Sequence, residues 1–269
     1  FQGAPSSLPA SERAYFSNIA TKIATLDNLG AEGFLFAIGP DEITHFYSIY
    51  NRMKDKGLES VIMPNGKALG ISDYGTHLKF GGFFNWPTLS KITGITAENW
   101  WNYNKNSGVL KQPSKAIHLK GKVISKFKEF ESANVIGLLE GGELKDEYIV
   151  HTAHLDHVGI GKPVDGDSIY NGAHDNASGI SAMLEIARLY SKLPSKPKRS
   201  VLFAAVTAEE MGLLGSKYLA INPPVEQQKI IANVNTDMPT LIAPLLSVEP
   251  LGAEQSSIME VVKRSAKQL

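Results

Sequence analysis

The 269-residue sequence predicts an α/β fold with a mixed, largely parallel sheet. Three observations predict it. From residue 148 onward strand and helix patterns alternate: strand 148–153, a helix after Asp175, strand 200–206, a helix after Glu210, strand 230–234. Residues 200–206 read Ser-Val-Leu-Phe-Ala-Ala-Val, apolar without alternation, as a strand covered on both faces requires. Finally, His154, Glu209-Glu210 and Asp237 each fall just after a strand. That is the edge where open α/β sheets bind ligands.

Taken in order, residues 11–29 read as one amphipathic helix, with Ser11 as cap, Tyr15, Ile19, Ile23 and Leu26 on one face, and Gly30 as its end. Residues 33–38 form an apolar strand stopped by Gly39-Pro40. A helix is expected over 41–56, ended by Gly57. Residues 58–86 carry short strands and turns, and a further helix is expected near 97–103. Residues 104–114 are polar, with Gly108 and Pro113, and read as a linker. The expected division is therefore 1–112 and 113–269. Residues 122–130 and 133–139 read as two adjacent antiparallel strands. The strand 148–153 then leads into His154-Leu155-Asp156. Asp175 sits in the turn Asn171-Gly172-Ala173-His174-Asp175-Asn176-Ala177-Ser178-Gly179, where Asp175 or Asn176 can cap the next helix. Ala177, Ile180, Leu184, Ile186 and Ala187 recur along that helix at helical spacing. Residues 211–220 and 256–267 read as helices, and no internal repeat is present.

Composition excludes several classes. Hydrophobic residues make up 43% and charged residues 20%, an ordinary globular balance. Lys plus Arg and Asp plus Glu are 27 each, so no basic excess favours nucleic acid. No apolar run approaches the roughly 20 residues of a membrane span. There is no cysteine, so disulfides, thiol nucleophiles and thiolate metal sites are excluded. Any metal must be held by His, Asp and Glu.

Such an inventory exists. His154 offers an imidazole nitrogen, and the Asp156 carboxylate can accept its other ring N–H. Asp175, Glu210 and Asp237 offer carboxylates. With several carboxylates and no thiolate, two metals about 3.5–4 Å apart with one bridging carboxylate make chemical sense. Such a pair clamps a carbonyl oxygen and activates water. Glu209 would take the water's proton and pass it to a leaving amine. Adjacent Glu209 and Glu210 can do different work because neighbouring side chains at a strand end diverge.

Four motifs in order, His154-Leu155-Asp156, then Gly172 to Gly179, then Glu209-Glu210-Met211-Gly212-Leu213-Leu214-Gly215-Ser216, then Asn235-Thr236-Asp237, resemble the dizinc aminopeptidases, relatives of glutamate carboxypeptidase and glutaminyl cyclase. The resemblance covers roughly residues 120–240. It implies a three-layer zinc-peptidase domain and two zinc ions. Asp175 would bridge them, His154 and Asp237 would complete one, Glu210 would bind the other, and Glu209 would be the base, with Asp156 supporting His154. A cis peptide after Asp175 is implied too. The implied activity is removal of N-terminal residues from peptide substrates by metal-bound hydroxide, in a secreted or periplasmic setting. The Asp175-Asn176-Ala177-Ser178-Gly179 loop favours the peptidase over glutaminyl cyclase. Glutamate carboxypeptidase and a non-catalytic, receptor-like relative are the other readings. Residues 1–112 resemble, through 33–38 and Trp86-Pro87-Thr88-Leu89-Ser90, a small α+β protease-associated domain.

The sequence departs from that pattern in one respect. The family's fifth ligand is a His well beyond Asp237, and the seven His here are 45, 77, 118, 151, 154, 157 and 174. The chain is therefore expected to be a portion of a longer enzyme lacking the C-terminal part, and Phe1-Gln2-Gly3 resembles the remnant of a cleavable tag. His151 and His157 are read as structural or substrate-lining, and His174 as structural. Asp165 and Asp167 are expected to shape a Gly-rich loop, and Trp86, Trp100 and Trp101 to be core.

Overall fold

A single asparagine breaks the first expected helix. In the computed structural model, two helices, α1 (Ala10–Ser17) and α2 (Ile19–Asn28), replace the one expected over 11–29. Asn18 between them is extended (ψ 124°), and its side chain accepts from the Thr21 N–H at 3.2 Å, which caps α2. The structure describes residues 8–37, 59–66, 68–69, 77–99, 118, 120–122, 124, 126–239, 244, 246–248 and 250–268. The expected helix 41–56, the linker 104–114, Trp100 and Trp101 lie outside them, as does the helix near 97–103 beyond residue 99.

The chain divides into two units, Phe1–Phe130 and Glu131–Leu269. In the first, β1 (Gly33–Ala37) pairs in parallel with Phe80–Phe84, while Val61–Ile62 (β2) and Ala68–Leu69 (β3) form a short antiparallel ladder. Phe80–Phe84 is β4. Gly33 lies against the Phe80 ring and Gly81 against the Phe34 ring, so each aromatic fills the face its partner leaves bare. Buried Asp27 on α2 accepts the backbone N–H groups of His77 (2.8 Å) and Leu78 (3.3 Å). The helix α3 (Trp86–Thr93) has Pro87 in its first turn and is capped by Asn85, whose side chain accepts from the Thr88 N–H at 2.9 Å. Trp86 is buried, as expected.

The second unit is built on a four-stranded sheet. Its strands are β5 (Val135–Leu139), β6 (Leu144–His154), β9 (Arg199–Val206) and β10 (Ile230–Asn235), in the order β10-β6-β9-β5. β10 and β9 run parallel to β6, and β5 runs antiparallel to β9. The sheet is therefore mixed and largely parallel, as expected. One strand expectation fails: residues 122 and 124 and the stretch 126–130 are not in a ladder. A strand exists only through a partner's hydrogen bonds. Here β5 takes β9 instead, and Phe127 and Phe130 are exposed.

Helices lie on both faces. Val150, Leu202, Ala204 and Val206 form a buried cluster with Leu219 packed on it, and Leu219 belongs to α5 (Leu214–Ile221). On the opposite face His151 stacks on Phe203 (12°, 5.6 Å), beside Tyr190 of α4 (Ser178–Ser191). α4 buries Gly179 and Met183, while Leu184, expected on the apolar face, is exposed. The helix is rotated relative to the sequence reading. α5 starts three residues later than expected because Gly212 and Leu213 have positive φ (105° and 63°). That turn returns the Leu214 and Gly215 N–H groups to the Ala208 and Thr207 carbonyls. A last helix, α6, spans Ile258–Ala266.

Two further features set the carboxyl edge of the sheet. Between β6 and α4 the chain makes a hairpin, β7 (Gly159–Val164) and β8 (Asp167–Tyr170), whose Asp165 and Gly166 both have positive φ. Asp165 and Asp167 shape this loop, as expected; Asp167 accepts from the Ile169 N–H at 2.8 Å. The second feature is Asn176, which is 2% exposed. Its Oδ1 accepts from Gly179 N (2.9 Å) and Met238 N (3.1 Å), and its Nδ2 donates to the Thr236 carbonyl (3.1 Å). The Asp175 turn is thereby tied to the segment that follows β10. Gly179 permits this, since a Cβ there would collide with the Asn176 amide and the Thr236 carbonyl.

Two outcomes are expected. Asn176→Ala leaves three backbone groups without their partner, so it should lower unfolding free energy by about 3 kcal/mol or more in urea titration. His151 has both ring nitrogens buried without hydrogen bonds, and burial holds its pKa below the ordinary value. The unfolded chain takes up a proton that the fold refuses, so stability falls as pH drops below the ordinary His value. The urea midpoint should fall between about pH 7 and about pH 5 by less in His151→Phe than in the wild type.

Candidate metal centre

β6 ends on His154, and its ring is 3% exposed. The backbone turns at once, so the Asp156 carbonyl lies 3.0 Å from His154 Nδ1. A carbonyl only accepts, so Nδ1 carries the proton and Nε2 presents its lone pair. That lone pair faces Asp175 Oδ1 at 3.0 Å and Asp237 Oδ1 at 3.5 Å. The sequence reading gave the Nδ1 proton to the Asp156 carboxylate. The carboxylate is instead 3.9 Å away, and its oxygens accept the backbone N–H groups of Glu209 (3.1 Å) and Glu210 (3.3 Å). Asp156 thus fixes the turn after β9, and its own carbonyl fixes the imidazole.

The sites predicted from sequence converge. His154, Asp175 and Asp237 bring one donor atom each within 4.8 Å of one another. Asp175 and Glu210 do the same with a residue not assigned as a ligand, His157. His157 Nδ1 is 2.7 Å from Glu210 Oε1 and 3.8 Å from Asp175 Oδ2. Asp175 therefore turns one oxygen toward each imidazole. The peptide between Asp175 and Asn176 is cis. His174 points elsewhere, with Nε2 3.1 Å from the Met238 carbonyl, and His151 lies on the opposite sheet face. Sequence pattern missed His157 because it sits in a loop with no periodicity; the available signal was a second imidazole three residues after His154.

The donor set fits a divalent metal. A lone pair and two carboxylate oxygens converge on one point, and in the absence of a shared cation these groups repel. Five carboxylates, of Asp156, Asp175, Glu209, Glu210 and Asp237, gather around two imidazoles. Burial pulls the His154 pKa down, but the Asp156 hydrogen bond and the charges of Asp237, Glu209 and Asp175 outweigh it and raise it. Glu209 is pushed above the usual carboxylate range by burial, with His154 opposing and Glu210, Asp237 and Asp156 adding to the rise. A cavity of about 580 Å³ reaches this cluster, with His154, Glu209 and Asp237 at one end and Val150, Leu202 and Leu219 toward the other.

Comparison with known proteins places this arrangement. The chain is 35% identical over 136 residues to aminopeptidase YwaD of Bacillus subtilis, covering 49% of this chain and 28% of that protein. It is 28% identical over 190 residues to aminopeptidase NAALADL1 of Mus musculus, covering 65% and 24%. Among solved structures it matches a zinc aminopeptidase from Bacillus subtilis at 36% identity, with a TM-score of 0.32 over 39% of this chain and 24% of that one. The chain thus spans about a quarter of the length of the curated relatives it matches. The family model of peptidase family M28 matches residues 134–269, the half of the chain that carries the entire cluster. The chain belongs to peptidase family M28.

Proposed function

We propose that this chain carries the catalytic centre of a zinc-dependent aminopeptidase, which removes N-terminal residues from peptides. One observation carries the proposal: the Asp175 carboxylate faces a different imidazole with each oxygen, and Glu209 stands in the same cluster. Relatives named as aminopeptidases and zinc metalloproteases support the same reading. His154, Asp175 and Asp237 would hold one zinc, and Asp175 and Glu210 the other. Bound there, zinc would supply Lewis acidity toward a peptide carbonyl and make water a competent nucleophile near neutral pH.

The remaining work falls to the chain. Glu209 takes the proton from the attacking water, and its raised pKa makes it a stronger base than an ordinary carboxylate. It then delivers that proton to the nitrogen of the departing amine. Asp156 accepts the Glu209 N–H at 3.1 Å and so fixes the backbone that carries this carboxylate. Asp156 is thus a positioning residue, and a loss there shifts Glu209 and Glu210 together.

In the same reading, residues 1–112 form a protease-associated module, and the protein is exported. No helix among the described residues is long and apolar enough to cross a membrane.

Turnover of aminoacyl chromogenic substrates by zinc-loaded protein tests the proposal. Glu209→Gln should lower kcat by about 10²–10⁴-fold with zinc content unchanged; undiminished turnover would remove Glu209 from the mechanism. Each zinc at about 100 times its dissociation constant should raise unfolding free energy by about 2.7 kcal/mol, and the share of the His154 position should be lost in His154→Ala.

A further inference from the structure

Asparagine followed directly by glycine occurs twice in the chain, at Asn65-Gly66 and Asn171-Gly172. Such a pair is chemically labile. The backbone nitrogen of the second residue can attack the amide carbon of the Asn side chain and close a five-membered ring, and glycine, with no Cβ, hinders that approach least. The attack needs a side chain open to water and a backbone N–H that no acceptor holds.

The two pairs differ in the second requirement. Asn65 and Gly66 are both exposed, but the Gly66 N–H donates to the Met63 carbonyl at 2.8 Å, which engages the nitrogen inside a turn. Asn171 is also exposed, just past β8 and ahead of the Asp175 turn. Its side chain makes one long bond, from Nδ2 to the Ile169 carbonyl at 3.3 Å. Among the described residues the Gly172 N–H has no acceptor; its carbonyl accepts from Ala177 N at 3.0 Å. Nor can another residue readily stand there. Gly172 has φ 66°, and a Cβ would lie 2.8 Å from His157 Cβ and 2.9 Å from the Asp175 carbonyl oxygen. The fold thus requires the least hindered successor at a position where its nitrogen is free to react.

We propose that Asn171-Gly172 is a site of spontaneous deamidation that disrupts the turn carrying Asp175 as the protein ages. The Gly172 nitrogen bonds to Asn171 Cγ and gives up its proton, the Cγ–Nδ2 bond breaks, and ammonia leaves with that proton. Water, the one co-reactant, then opens the cyclic imide. Opening at the side-chain carbonyl gives aspartate. Opening at the main-chain carbonyl gives isoaspartate, whose backbone runs through the side chain and is one methylene longer. That extra length falls four residues before Asp175, at a glycine pressed against the His157 loop. Both products also add a negative charge near the acidic cluster. The consequence for turnover rests on the zinc-peptidase reading given above; the modification does not.

Incubation of the purified chain at mildly alkaline pH, followed by peptide mapping with mass spectrometry and enzymatic methylation of isoaspartate, tests the proposal. Position 171 should convert about threefold or more faster than position 65. Turnover and retained zinc should fall in step, turnover by about tenfold or more in fully converted protein. Asn171→Gln keeps the amide but needs a larger ring to cyclise. With circular dichroism matching the wild type, it should hold its turnover through the same incubation. Conversion at position 171 no faster than at position 65 would overturn the site. Conversion with turnover and zinc unchanged, or equal losses in Asn171→Gln, would overturn the link to the Asp175 turn. Fresh protein with neither turnover nor zinc would overturn the zinc-peptidase reading instead, and the peptide map would still decide the modification.

Discussion

The buried amide of Asn176 is the contact on which the centre depends. Asp175 and Asp237 come from segments separated by about sixty residues, and like charges drive them apart. Asn176 holds them at a common imidazole by bonding only to backbone: two N–H groups and one carbonyl, on both sides of the gap. The Asn176 side chain is buried, the bond from Gly179 N is buried and the other two are part-buried, so their loss is costly. Asp156 does the equivalent work on the other side. It accepts two successive N–H groups and so orients Glu209 and Glu210 without touching their carboxylates. The acidic groups are thus held by neighbours that carry backbone hydrogen bonds rather than by one another.

This division of labour explains why a cluster so rich in negative charge can persist in a fold. β6, β9 and β10 are parallel, so their carboxyl ends arrive at one edge, and each contributes a polar residue at or just past its last ladder pair. The Thr236 N–H bonds to the Thr152 carbonyl and the Leu155 N–H to the Val206 carbonyl, extending the sheet into the loops that carry the site. Beneath it, Ser200 and Val201 are both about 1% exposed, one on each side of β9. The rigidity comes from that core, and the chemistry sits at its rim. Burial, with the charges of Glu210, Asp237 and Asp156 adding to it, raises the Glu209 pKa.

Much of this was legible in the sequence, for identifiable reasons. The unalternating run 200–206 marked a strand buried on both faces, and the residues just after the strands marked the edge. His154, Asp175, Glu210 and Asp237 do meet, because parallel topology leaves them no other place to go. What was not legible depended on local chemistry without a period. α4 exposes Leu184 and buries Gly179, whose close approach to the Thr236 carbonyl no hydropathy pattern encodes. Residues 122–130 had the composition of a strand, but a strand needs a partner, and β9 pairs with β5. Asp156 was recognised as important but for the wrong bond, since the choice between its carbonyl and its carboxylate turns on loop geometry. His157 was passed over because proximity to Glu210 arises only once the hairpin and the Gly172 turn are folded.

The proposed function requires that this chain gather its acidic groups around divalent metal, with Asp175 shared by two ions. Elemental analysis of the purified chain after zinc loading and exhaustive dialysis tests it most directly. The account predicts close to two zinc ions per chain. A protein that retains none, while still folded by circular dichroism, would contradict it.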